Sequence, residues 1–118
     1  MKYSKIIQQH FEQPQHVQQA DPSAITIAAG SVDIGAYLQL FLQIDDKLII
    51  DARYKAYGCP VVIALGSWLT CWLRGKPVAE AVALKEPVIH AHLELAPHKR
   101  HLAALAVNAL TSLARLID

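Results

Sequence analysis

The chain has 118 residues, near the commonest size of a protein domain, so it can bury a core without disulfide staples. With 53% hydrophobic and 18% charged residues it lies far from the composition of disordered chains and reads as one globular domain over residues 1–118. Its 11 basic residues stand against 10 acidic ones, so no bulk positive field draws it to nucleic-acid phosphates or anionic lipid, and neither is expected as a partner.

The N-terminus, Met1-Lys2-Tyr3-Ser4-Lys5, leads into glutamines rather than an apolar signal core, which predicts a cytoplasmic protein. Tyr3, Ile6, Ile7, His10 and Phe11 recur at helical spacing on one face of a first amphipathic helix that Pro14 stops. Residues 15–23 are polar, contain Pro22, and read as a surface connection. A first strand is expected at 24–29, ended by Gly30. A clearer strand follows, where Leu38, Leu40, Leu42 and Ile44 alternate with Tyr37, Gln39, Phe41 and Gln43. Asp45-Asp46-Lys47 is a polar turn into a β-rich run over 48–57, so these two runs form a hairpin and the sheet is antiparallel. In that run Asp51, Arg53 and Lys55 alternate as a solvated face.

After Gly58 the period changes. Residues 60–74 are apolar and helix-compatible, with Pro60 at the favoured first position, Gly75 beyond the end, and Cys59 at the N-cap. The run is shorter than the roughly 20 residues of a membrane span and reads as a buried helix. A short helix is expected at 77–84, an interruption at Pro87, and an element of undefined type at 88–95. Leu102, Leu105, Ala106, Ala109, Leu110, Leu113, Leu116 and Ile117 form the apolar stripe of a last helix packed on the sheet. The fold class is α+β: a three-stranded antiparallel sheet packed against helices.

A thiol at a helix N-terminus faces unpaired backbone N–H groups and the positive end of the helix dipole, which favour the thiolate that acts as nucleophile or metal ligand. Cys59 is therefore the most chemically suggestive residue, weighed against the bland alternative of a small buried hydrophobe. Cys71, twelve residues later on the same helix and so about 18 Å away, cannot share a disulfide or metal with it and is assigned to the core. Among the histidines only His98 and His101 have helical ligand spacing, and no Cys-x-x-Cys pair marks a structural zinc site. Paired carboxylates, a Ser/His/Asp order and a phosphate-binding glycine loop are all missing, so an enzyme is not expected.

The run Ile50-Asp51-Ala52-Arg53-Tyr54-Lys55-Ala56-Tyr57-Gly58-Cys59 resembles the IscU family of iron–sulfur cluster assembly scaffolds, also found as the N-terminal domain of NifU. The resemblance extends upstream to Tyr3-Ser4 and His10-Phe11-Glu12-Gln13-Pro14, and downstream through Trp72-Leu73-Arg74-Gly75-Lys76 to Leu93-Glu94-Leu95-Ala96-Pro97-His98-Lys99-Arg100-His101. It implies the IscU/NifU-N fold and a nascent cluster built on three cysteines and an aspartate, with sulfur from a cysteine desulfurase and delivery to cluster acceptors. Carried over residue by residue, Cys59 matches the second family cysteine and His101 the histidine before the third. Ile34 and Ala36 occupy the positions of the first cysteine and the aspartate, and Leu102 replaces the third cysteine. Asp33 and His98 are the candidates for extra ligands. The chaperone-recognition segment is matched only loosely at Leu95-Ala96-Pro97-His98-Lys99, so docking of an Hsp70-type chaperone is not expected.

A soft iron–sulfur cluster wants thiolates on most open iron positions, and one thiol at the site does not support a stable cluster in a monomer. The leading expectation is a divergent assembly scaffold that holds iron, zinc or sulfur, or a transient cluster, through Cys59 and His101, with Cys59 as sulfur acceptor. A homodimer would complete a Cys₂His₂ set. The alternative is a metal-free binding or regulatory module that docks a desulfurase. A thiol enzyme using Cys59 and His101 ranks last.

Overall fold

Three successive segments rich in β-branched and alternating apolar residues pair in chain order in the computed structural model, which describes residues 3–17 and 24–117. Strands β1 (Ile25–Ser31), β2 (Ala36–Asp45) and β3 (Leu48–Tyr57) form one antiparallel sheet of order β1-β2-β3. Asp46 and Lys47, both at positive φ, make the two-residue turn whose twist matches a hairpin. The first strand runs through Gly30 to Ser31 instead of ending before it, because Gly30 still pairs with Tyr37. The connection expected at 15–23 lies partly outside the described residues. In its described part Tyr54 N–H donates to the His16 carbonyl and Val17 bridges to Tyr54, so the chain there lies along the outer edge of β3.

A bulge between Gln43 and Ile44 alters the expected alternation. Asp51 pairs with Gln43 and Ile49 with Ile44, leaving Ile50 as the extra residue. The insertion reverses the strand's phase, so Ile49, Ala52 and Tyr54 are all buried whereas Ile50 is exposed.

Helices α1 (Lys5–Glu12), α2 (Pro60–Leu73), α3 (Val78–Val82), α4 (Glu86–Leu93) and α5 (Ala103–Ile117) accompany the sheet. A 3₁₀ turn over Pro97–Leu102 precedes α5. Helices α2 and α5 contact the sheet directly, and Ile27, Leu38, Leu40, Leu42, Ile49, Ala52 and Tyr54 meet Val62, Leu65, Leu69, Leu105, Ala109 and Leu113 in one buried cluster. Pro87 does not interrupt a helix. It occupies the first turn of α4, where a missing N–H costs nothing. Cys71 is a second correction: it is exposed, because Gly66, Ser67, Thr70 and Leu73 take the buried face of α2. Among the described residues no helix is long and apolar enough to cross a membrane.

Helix α2 is fastened to β3 along its length. A Cβ on Gly66 would fall 2.3 Å from Cδ2 of Tyr54, so the aromatic ring lies directly on the glycine backbone. At the helix end Arg74 donates from Nε and Nη2 to the Ala52 carbonyl at 3.2 and 3.0 Å and pairs with Asp51 at 2.6 Å. Asp51 also pairs with Arg53, so this part of the expected solvated face is an ion-pair network. The Tyr54 hydroxyl is buried without a hydrogen-bond partner, and burial, with a smaller effect of Cys71, pushes its pKa up to about 12.

Helix α1 is tied to its neighbours by polar groups. Ser4 caps it by accepting from Ile7 N–H and donates its hydroxyl to the Leu93 carbonyl at 2.7 Å. Buried Ser67 accepts from Gln15 N–H and lies 2.6 Å from His10 Nδ1, to which its hydroxyl can donate when the ring is neutral.

Two outcomes follow from these contacts. Gly66→Ala forces the Tyr54 ring off its seat and is expected to lower stability by about 1–3 kcal/mol in urea denaturation. Burial lowers the pKa of His10 below its usual 6.5, so the unfolded chain binds that proton first as pH falls. Stability held above pH 6.5 therefore declines below it, and the urea midpoint drops between pH 7 and 5. His10→Gln reduces that drop. His16, lowered by burial and then by Arg74, supplies a remainder in the same direction.

Candidate functional site

The β-rich run ending at Tyr57 must turn sharply to start α2, and Gly58 makes that turn at φ +146°. A Cβ on Gly58 would approach the Gly35 carbonyl oxygen to 2.9 Å. The β1–β2 turn, residues 32–35, is thereby packed against the β3–α2 junction. Ser31 Oγ accepts from Ile34 N–H and the Val32 carbonyl from Gly35 N–H, which close this turn.

Cys59 is the N-cap residue of α2, as its place before Pro60 implies. Its backbone carbonyl accepts from Val62 N–H at 2.9 Å, while its side chain makes no capping bond. The thiol is thus left to other partners. It is half-buried against the core, and Lys99 Nζ lies 3.7 Å from Sγ. The 3₁₀ turn delivers Lys99: Ala96 carbonyl accepts from Lys99 N–H at 2.8 Å and sets the tight pitch. An ammonium at that distance places positive charge where negative charge develops on an attacking or ligating sulfur.

The other predicted residues surround this pair less closely. Asp33 sits in the exposed β1–β2 turn, at the same end of the sheet as Cys59. His98 and His101 flank Lys99 on the 3₁₀ turn, and both are exposed. Ile34, 73% exposed, and Val32 make an apolar tip on the β1–β2 turn, and Tyr57 is exposed nearby in sequence from Cys59. Leu102, where the resemblance expects a cysteine, is buried in the core. Among the described residues no three His, Cys, Asp or Glu side chains converge on one point. One half-buried thiol beside an ammonium, with imidazoles at the surface, does not fit a closed cage for a metal ion or cluster within one chain.

In the sequence Lys99 is one residue of the run over 93–101 and carries no mark of a role of its own. On a turn of three residues His98 and His101 share one face and Lys99 points away from it, so no local spacing singles Lys99 out; its meeting with Cys59 is set by the packing of the turn against the start of α2. Cys71, exposed on α2, differs from Cys59 in its surroundings: partial desolvation of the sulfur raises its pKa, opposed by Arg74. It serves as an internal reference thiol. Lys99→Met is expected to slow alkylation of Cys59 several-fold at neutral pH while leaving Cys71 unchanged, as read residue by residue by mass spectrometry.

The profile of the family described as NifU-like N terminal domain matches residues 2–114. The iron-sulfur cluster assembly scaffold protein IscU of Haemophilus influenzae is 39% identical over 114 residues, covering 93% of this chain and 90% of the relative. IscU of Escherichia coli K12 is 38% identical over 114 residues, with 93% and 89% covered. Among solved structures, a candidate iron-sulfur cluster assembly scaffold for the SUF system from Fervidobacterium islandicum superposes with a TM-score of 0.71 at 15% identity, covering 92% of this chain and 93% of that one. The N-terminal part of a NifU-like protein from Brucella abortus gives 0.62 at 16% identity, covering 94% and 78%. These two likenesses concern the α+β fold.

Proposed function

The chain belongs to the family of NifU-like N-terminal domains and is homologous to IscU scaffolds over 93% of its length, and from that premise we propose that it serves iron–sulfur cluster assembly as a sulfur-receiving scaffold centred on Cys59. The observation that carries this reading is the Cys59–Lys99 pair at the N-terminus of α2. The thiolate of Cys59 attacks the terminal sulfur of a persulfide on a donor protein, a cysteine desulfurase. A new S–S bond forms at Cys59, the donor's S–S bond breaks, and the donor leaves as a thiolate, with no net oxidation. Lys99 balances the charge on the sulfur, and the persulfide left on Cys59 is the form passed toward cluster acceptors.

His101 stands as the second ligand, with Asp33 and His98 as supplementary donors for iron or zinc. Two chains that contribute one cysteine and one histidine each supply a Cys₂His₂ set, sufficient for zinc or a labile two-iron cluster as cargo. The chain acts as a carrier rather than a turnover enzyme, with residues 1–118 working as one domain. A second reading is favoured by the apolar residues Ile34 and Ala36 at two ligand positions: a metal-free module that docks the desulfurase and regulates sulfur flow.

Incubation with a cysteine desulfurase and cysteine is expected to add about 32 Da, one sulfur atom, to Cys59 and not to Cys71 by mass spectrometry. An unmodified Cys59 removes the sulfur-accepting role. Metal and sulfide content after anaerobic reconstitution separates the two readings. Metal bound by wild type and lost in Cys59→Ala and His101→Ala supports the scaffold, a value near one half per chain supports the shared site, and no difference between the three supports the docking module.

A further inference from the structure

Lys99 borders two spaces. One side faces the sulfur of Cys59; the other lines an open cavity of about 280 Å³ shared with Tyr3, Ser4, Ile7, Val61, Glu94 and Ala96. The cavity sits where the start of α1, the start of α2 and the end of α4 meet. Its volume is just under the roughly 300–1,000 Å³ of pockets for drug-sized ligands, so it suits a small molecule.

The chemistry of the wall is specific. Ile7, Val61 and Ala96 give an apolar floor, while Glu94 and Lys99 bring one negative and one positive group to the same cavity. The two do not pair: the ion pairs among the described residues are Arg53–Asp51 and Arg74–Asp51, and the Glu94 carboxylate has no hydrogen-bond partner there. Glu94 is also held at φ 50°, ψ 52°, in the left-handed region that a β-carbon disfavours, where glycine is the usual helix-ending residue. Its N–H donates to the His90 carbonyl, and the cap fixes where the carboxylate begins. Ser4 Oγ is already committed to the Leu93 carbonyl, so that side of the cavity is anchored to the end of α4.

We propose that this cavity binds a small zwitterion of the α-amino acid class, its carboxylate on Lys99, its ammonium on Glu94, and a short side chain against Ile7, Val61 and Ala96. A ligand with one charge satisfies only one of the two groups. Because Lys99 is shared, an occupied cavity draws the ammonium away from Cys59 and slows reactions at that thiol. The binding itself does not depend on Cys59 accepting sulfur.

The test is a titration of ¹⁵N-labelled full-length protein with L-alanine, which has no thiol to react, beside acetate and methylamine as single-charge controls. L-Alanine is expected to shift the amides of Tyr3, Ser4, Val61, Glu94 and Lys99 saturably, with a dissociation constant on the order of 1 mM. Each control and the variants Glu94→Gln and Lys99→Met should bind at least about ten-fold more weakly. Saturating L-alanine should also slow alkylation of Cys59, with Cys71 unaffected. No shifts up to tens of millimolar, or equal shifts with acetate, would overturn the proposal. The wild-type titration decides it even where a variant fails to fold. Loss of sulfur transfer to Cys59 with the titration intact would remove the sulfur-receiving function and leave this site standing.

Discussion

The contact between the Tyr54 ring and the backbone of Gly66 decides where α2 lies, and the site depends on where α2 lies. A helix carrying any side chain at position 66 could not approach β3 so closely. With the ring seated, the Arg74 guanidinium reaches the Ala52 carbonyl at one end of the helix, and at the other Cys59 is delivered to the level of the β1–β2 turn. The cost is a buried, unpartnered phenol oxygen. A hydroxyl stripped of water without a partner costs roughly 1–3 kcal/mol, which the buried ring must offset by packing. The position of the reactive thiol is thus set by van der Waals contact some distance from it.

Much of this architecture is legible in the chain because its signals are local. The alternation over Leu38, Leu40 and Leu42, the two-residue turn at Asp46-Lys47, the proline after Cys59 and the apolar stripe of α5 each follow from a period or a backbone restriction that no distant residue alters. What was not legible depends on partners. The bulge at Ile50 is a property of pairing between two strands, and alternation within one strand cannot reveal it. Cys71 looked like core because cysteine usually is. Its exposure follows from the rotation of α2 about its axis, which Gly66 and Tyr54 set. Pro87 read as an interruption because proline both ends and begins helices, and only the chain before it decides which.

The site divides in the same way. Cys59 could be found from the sequence because a glycine, a cysteine and a proline at a strand-to-helix junction state a geometry by themselves. Lys99 lies forty residues away, and its meeting with the sulfur is a tertiary fact. The replacements at Ile34, Ala36 and Leu102 were visible in the chain, and the fold gives them distinct physical roles. Leu102 lies in the core, whereas Ile34 is exposed to solvent. The relatives are named iron-sulfur cluster assembly scaffolds, and this chain brings one thiol, Cys59, to the site while Cys71 lies elsewhere on α2; carrying sulfur needs one thiol, whereas a closed metal cage needs more ligands.

The exposed apolar tip at Val32 and Ile34 also has a colloidal meaning. A chain of net charge +1 and isoelectric point about 7.8 has little long-range repulsion to keep two such tips apart at neutral pH. The balance between dispersed and clustered protein therefore turns on a few titratable groups and on ionic strength. A concentrated solution is best dispersed well away from the isoelectric point, where net charge grows, and self-association is strongest close to it.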